Sequence, residues 1–222
     1  MCGRFTLTVD PADLQEAFTD FTFPEKFAPR FNIAPTQPVL AIPNDGKNQA
    51  DFFVWGLIPS WAKDPGIGSR LINARAETLA EKPSFRGGFK YKRCLILADG
   101  FYEWKTVPGS KTKIPHFIFL KSRHPFALAG LWDEWHSPEG GSLRSATIIT
   151  TEPNELMAGI HNRMPVILSP SDYAQWLDPA PQTPADLQHL LQPFPADMMS
   201  AYPVGTLVNS PANDRAELVV PA

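Results

Sequence analysis

Residues 38–57 decide how the chain is read: Pro38-Val39-Leu40-Ala41-Ile42-Pro43, then Asn44-Asp45-Gly46, then Asp51-Phe52-Phe53-Val54-Trp55-Gly56-Leu57. An apolar run framed by prolines, a turn triplet and a second run of aromatic and β-branched residues predict two strands folded back as a hairpin. The same texture recurs downstream. Residues 93–98 (RCLILA) read as a buried strand, 115–121 (PHFIFLK) and 126–132 (FALAGLW) as a second pair, and 143–150 (LRSATIIT) as another long strand before a shorter one at 165–168. Two short β-like pieces are expected at 201–208 and 217–220. Helical signals are few. Asp10-Pro11, Ser169-Pro170 and Thr183-Pro184 each set a capping side chain before a proline, predicting helices over 11–19, 170–177 and 184–191. The 24 prolines are spread along the chain and disfavour long helices. The expectation is an α+β fold: a single mostly-β domain over 1–222, with a curved antiparallel sheet or barrel-like core and a few short helices.

Composition narrows the function. With 43% hydrophobic and 19% charged residues over 222 positions, the chain has material for one sizeable core and is not of the disordered class. No apolar run nears the ~20 residues of a membrane span, and Met1-Cys2-Gly3-Arg4-Phe5 lacks a leader's apolar stretch. A cytoplasmic location is expected, or a nuclear one in a eukaryote. Cys2 and Cys94 are too few for a disulfide framework or a four-thiolate zinc, and no histidine pair stands at ligand spacing. No metal, no cofactor and no membrane partner are expected, and the chain should be a monomer.

The net charge of −3 is unevenly spread. Residues 60–93 carry eight basic and three acidic side chains, whereas residues 133–222 carry three and eleven. The first block could meet a polyanion, or it could be an ordinary solvated face.

Cys2 raises a chemical possibility. If Met1 is removed, Cys2 bears a free α-amine, whose pKa of ~7.7–8.0 leaves far more free base at neutral pH than a lysine. Amine and thiol then sit on adjacent carbons. The amine can condense with an aldehyde and the thiol can close a five-membered thiazolidine, an intramolecular step of high effective molarity. The alternative is a cysteine merely tolerated at the second position. Cys94, inside an apolar run, reads as a buried small hydrophobe.

Other polar groups need a reason. Asn73 and Arg75, in Ile72-Asn73-Ala74-Arg75-Ala76-Glu77-Thr78, could bind a sugar and a phosphate, or form a turn into a helix. Glu103, between Tyr102 and Trp104, either faces inward as a proton carrier or outward from an amphipathic strand. His161, in Ile160-His161-Asn162-Arg163-Met164-Pro165, is either a proton carrier or a structural histidine. In Trp55-Gly56-Leu57-Ile58-Pro59-Ser60-Trp61 a rigid turn could present an indole to an unpaired base, although Trp55 is expected in the core.

Taken together and in order, Cys2-Gly3-Arg4-Phe5, Phe31-Asn32-Ile33-Ala34-Pro35, the Trp55–Pro59 and Ile72–Thr78 stretches, Ala98-Asp99-Gly100-Phe101-Tyr102-Glu103-Trp104 and the Ile160–Pro165 stretch resemble the SRAP family, the SOS response-associated peptidases and abasic-site processing proteins. The segments cover nearly the whole chain. Phe31 stands where Tyr is frequent and Asn162 where Asp is frequent, and neither change touches a reactive group. The resemblance implies a DNA-repair enzyme acting on single-stranded DNA that contains abasic sites. Cys2 would capture the sugar aldehyde as a thiazolidine DNA–protein crosslink, after autocatalytic removal of Met1. Glu103 matches the family's proton-shuttling carboxylate, His161 the histidine of the Schiff-base stage and crosslink reversal, and Asn73 the asparagine that orients sugar and amine. Arg4 and Arg75 match phosphate-gripping arginines, and Trp61 lies near an aromatic region that limits duplex entry. The cluster also implies abasic-site lyase activity, because a Schiff base at C1′ invites β-elimination of the 3′ phosphate. A thiol peptidase or amidase acting on other proteins, with Cys2 as nucleophile and His161 as base, is the alternative reading.

Overall fold

A computed structural model describes residues 2–110 and 112–222 of the chain. Its framework is the hairpin read at 38–57. Strand β3 (Pro38–Pro43) pairs antiparallel with β4 (Asp51–Trp55), counting β1 (Phe5–Leu7) and β2 (Arg30–Ile33) before them. The short β5 (Asn73–Arg75) follows, then β6 (Arg93–Ala98), β7 (Gly100–Thr106), β8 (Lys113–Leu120), β9 (Phe126–His136) and β10 (Ser142–Thr151). The two-residue β11 (Met164–Pro165) and β12 (Ile167–Leu168) and the final β13 (Met199–Pro203) complete the strands.

Five of these strands close on themselves. Pairing runs β10–β4–β3–β6–β9, and β9 pairs back onto β10, so no edge is left open in this ring. The mostly-β, barrel-like expectation is met. The sheet is not purely antiparallel, because β10 runs parallel to β4 at Ser145–Ala146 and then parallel to β5 at Ile148–Thr150. Both faces of β6 are covered, and each of its six residues is buried. Gly130 lets the strands approach there: a Cβ would stand 2.8 Å from the Cys94 sulfur. Cys94 is fully buried, as its apolar run predicts.

A second sheet, ordered β13–β8–β7–β1–β2, leans on this barrel. Here one expectation fails. The runs at 115–121 and 126–132 do not pair with each other: β8 pairs with β7 and β13, whereas β9 pairs with β6, β10 and β12. The apolar pattern gave both strands correctly, but Ser122–Pro125 carries the chain from one sheet to the other, where each strand finds longer partners. The piece at 217–220 is also not a strand. Residues Ala216–Val219 form a 3-10 turn, whose Val219 carbonyl accepts from the Tyr202 hydroxyl of β13, followed by an isolated Val204–Pro221 bridge.

The helices are short, and the two at 11 and 184 start where their caps predict. Helix α1 (Pro11–Ala17) begins with Asp10 accepting from the Ala12 and Asp13 amides. After α2 (Arg86–Tyr91) and α3 (Glu155–Ala158), α4 (Tyr173–Trp176) follows a 3-10 turn at Pro170–Asp172. In α5 (Pro184–Leu187), Thr183 and Asp186 form a reciprocal capping box. Arg93 binds α2 and α4 to the barrel. Fully buried, it donates to the carbonyls of Phe89, Lys90, Trp176, Asp178 and Ala180. One charge of the basic block is thus used internally. Among the described residues, no helix is long and apolar enough to cross a membrane.

Candidate active site

Register brings the N-terminus beside Glu103. Phe5 pairs with Phe101, and the Tyr102 amide donates to the Arg4 carbonyl at 3.0 Å. Continuing that antiparallel run sets Gly3 and Cys2 alongside Glu103 and Trp104. Glu103 is 2% exposed, so the inward of its two readings holds. The strand is not amphipathic at this point, because Phe101, Tyr102 and Glu103 are all buried. Both faces of β7 are covered, one by the barrel side and the other by the aromatic cluster of Tyr102, Phe117 and Phe119.

Three further segments converge on this point. Asn73 comes from β5, held against β10, and its Nδ2 donates to the Cys2 carbonyl at 2.8 Å. Its Oδ1 is buried and has no hydrogen-bond partner among the described residues. His161 follows α3, and its Nε2 lies 3.9 Å from Glu103 Oε2. His161 Nδ1 lies 3.1 Å from the Arg163 amide nitrogen and 3.3 Å from the Arg163 carbonyl oxygen, so the Arg163 backbone holds the ring with Nε2 on the side facing Glu103. Cys2 itself is fully buried, with its Sγ 3.9 Å from the Arg4 carbonyl. Burial first, and the Glu103 carboxylate second, push the Cys2 thiol well above its ordinary pKa. The sulfur is therefore held as a thiol. Cys2, Asn73, Glu103 and His161 thus meet although they come from four distant parts of the chain.

The other expected site residues are placed differently from one another. Arg75 is exposed beside Asn73. Arg4 is half-buried and engaged. Its Nη1 donates to Asn32 Oδ1 and the Val208 carbonyl at 2.8 and 2.7 Å, its Nη2 donates to the Asn209 carbonyl, and its guanidinium lies 6.0 Å from the Trp104 ring centroid. Trp55 is buried, with Nε1 donating to the Ile72 carbonyl, whereas Trp61 is 60% exposed. The Trp61 loop is fixed from both ends. The Ser60 amide donates to Asp133 at 2.8 Å and Trp135 Nε1 to the Ala62 carbonyl at 2.7 Å. Gly56 holds φ +127°, and a Cβ there would stand 2.5 Å from the Gly68 carbonyl oxygen.

Two residues around the site were quoted in the sequence motifs without a role. Arg163 forks onto Glu77, with Nη1 to Oε1 at 2.5 Å and Nη2 to Oε2 at 3.0 Å, and also reaches the Thr150 carbonyl at 2.6 Å. This pair fastens the residues after Asn73 to the residues after His161. Each side chain stood in a recognised motif, but nothing in the local spacing told that they meet. Among the described residues, no cluster of three or more His, Cys, Asp or Glu side chains is placed to hold a metal ion.

Known proteins resemble the chain over most or all of its length. The chain is 54% identical over 222 residues to the abasic site processing protein YoqW of Bacillus subtilis (strain 168), covering 99% of each chain. It is 33% identical to the abasic site processing protein HMCES of Gallus gallus, over 100% of this chain and 78% of that one. Among solved structures, a Bacteroides thetaiotaomicron protein superposes with a TM-score of 0.88 at 28% identity, covering 100% of both chains. A family model described as SOS response associated peptidase (SRAP) matches residues 1–211. The chain belongs to the SRAP family.

Proposed function

We propose that this protein processes abasic sites in single-stranded DNA by covalent capture on Cys2. The observation that carries the reading is the convergence of Cys2, Asn73, Glu103 and His161 on one site, Cys2 and Glu103 buried and Asn73 and His161 partly open to solvent. The names of the relatives, abasic site processing proteins, support it.

The chemistry begins with hydrolysis of the Met1–Cys2 amide, which frees the Cys2 amine; Met1 lies outside the described residues. An abasic deoxyribose opens from hemiacetal to aldehyde by moving a proton from O1′ to the ring oxygen. The Cys2 nitrogen attacks C1′, and the carbinolamine loses water to give a Schiff base. The Cys2 sulfur then adds to C1′, its proton passing to nitrogen. One water leaves and no oxidant is consumed. Each transfer needs a group that gives and takes protons, and Glu103, close enough to Cys2 to act on its thiol, would do that work with the His161 ring 3.9 Å away. Asn73 holds the Cys2 carbonyl and offers Oδ1 to a sugar hydroxyl or to the amine. Arg75 and the free part of Arg4 serve phosphates. If the imine loses its C2′ proton before the sulfur adds, β-elimination cleaves the strand, which is the lyase branch.

A protein-directed thiol peptidase would need an activated thiolate. A thiol raised by burial, next to a carboxylate, favours the amine-led route instead. The test is intact mass spectrometry after incubation with an oligonucleotide bearing one abasic site. The parent should gain the oligonucleotide mass less one water. Cys2→Ser, and a form that retains Met1, should not. Persistence of the adduct in both would refute the reading.

A further inference from the structure

Beside Cys2 the fold leaves one polar atom unmatched. Asn73 Oδ1 is buried and has no hydrogen-bond partner among the described residues, although the other end of the same amide is held, Nδ2 donating to the Cys2 carbonyl at 2.8 Å. That bond keeps Oδ1 within a side-chain amide's width of the Cys2 backbone. An amide oxygen only accepts, so whatever completes it must bring an O–H or N–H. Buried polar atoms are ordinarily paired, and one left bare costs free energy that a bound donor restores.

The surroundings narrow what that donor belongs to. Cys2 and Glu103 are buried, whereas Asn73 and His161 are partly open to solvent, so a molecule that reaches Cys2 passes Asn73 on its way. Glu103 lies near enough to act on the Cys2 thiol, so an aldehyde that carries a carboxylate meets like charge there. A short, neutral aldehyde with a hydroxyl next to its carbonyl meets both conditions. Its carbonyl carbon goes to the Cys2 nitrogen and its hydroxyl donates to Asn73 Oδ1.

We infer that the Cys2 pocket also captures free short-chain hydroxyaldehydes, the fragments of sugars, as a thiazolidine, and selects them through the Asn73 oxygen. No DNA strand is required, because the selecting atom and both nucleophiles belong to the pocket. The step balances without a co-reactant. The Cys2 nitrogen and sulfur each form a bond to the carbonyl carbon, the carbonyl oxygen leaves as water with one proton from each, and nothing is oxidised or reduced. Cys94 has no such chemistry, since its nitrogen is an amide inside β6. The closed ring occupies both nucleophiles, so a molecule carrying it no longer crosslinks DNA. The inference rests on the proposed function for a free Cys2 amine and goes beyond it in the substrate.

Glycolaldehyde and propanal test it, being close in size and differing by a hydroxyl against a methyl. Intact mass spectrometry over time should show each adding its own mass less one water, with peptide mapping placing the adduct at the N-terminus. The preference for glycolaldehyde over propanal should be about fivefold greater in the parent than in free cysteine, and should fall to that of free cysteine in Asn73→Ala, as expected for one hydrogen bond. Protein pretreated with glycolaldehyde should crosslink an abasic oligonucleotide only in proportion to its unmodified fraction. A parent preference equal to that of free cysteine overturns the inference, whether or not the variant folds. An Asn73→Ala variant that slows both aldehydes alike also overturns it, because Oδ1 then serves the amine and not the hydroxyl. Crosslinking of the abasic strand without any preference for glycolaldehyde strikes this inference alone. Failure of the abasic strand and of both aldehydes to react strikes the proposed function.

Discussion

Asn73 is the least conspicuous member of the site and the one whose part is most separable. It donates one hydrogen bond to the Cys2 carbonyl at 2.8 Å and keeps a buried oxygen for another donor. Asn73→Ala removes both. With a net worth of about 1 kcal/mol per hydrogen bond, the crosslinking rate should fall roughly tenfold or somewhat more, followed by gel shift of a denatured adduct over time. Glu103→Gln keeps the shape and removes the proposed proton carrier. Crosslinking should slow by about 10²–10⁴, while affinity for intact single-stranded DNA stays close to the parent's. A large loss of affinity would mean that Glu103 holds structure and does not move protons.

At the scale of elements, the site depends on two segments being fastened together. The Arg163–Glu77 fork joins the turn after β5 to the loop before β11. The Arg163 guanidinium, by hydrogen bond before charge, holds the Glu77 carboxyl below its usual pKa. A carboxyl depressed in the folded state contributes stability that is complete above its unfolded pKa, about 4.3, and is lost as pH falls through the folded value. Glu77 is half exposed, so the effect is screened and small. Melting temperatures of the parent and Glu77→Gln should differ most near neutrality and converge in acid below about pH 4. A gap that widens in acid would contradict the pairing.

Over the whole molecule, the C-terminal segment works as a strap across β2 and the N-terminus. Asn32 is fully buried. Its Nδ2 reaches the carbonyls of Val208, Ser210 and Asn213 at 3.3, 3.0 and 2.7 Å, and its Oδ1 accepts from Arg4. Asp214 pairs with Arg30 and accepts from the Phe31 and Asn32 amides. Trp104 Nε1 donates to Asn209 Oδ1 at 2.8 Å. The strap thus fixes Arg4, two residues from Cys2. Asn32→Leu leaves buried carbonyls unmet at about 1–3 kcal/mol, so the melting temperature should fall by roughly 2–4 °C for each kcal/mol lost, and crosslinking should slow with it. Thermal unfolding in parallel with the crosslinking assay checks both.

What the sequence determined by itself was local or carried by ordered motifs. The 38–57 hairpin, the buried 93–98 run and the proline-led caps are written in spacing and in turn chemistry, which act between near neighbours. Cys2, Asn73, Glu103 and His161 could be named because their motifs stand in order, not because any local rule brings them together. Only the tertiary structure decided that 113–120 and 126–136 part into different sheets, that β9 returns to β10 and shuts the barrel, that Arg93 is spent on carbonyls, and that Arg163 meets Glu77 and Asn32 the strap. The reason is range. Hydrophobic pattern tells a strand which face to bury, but which edge it joins is set by the shape of partners far away along the chain.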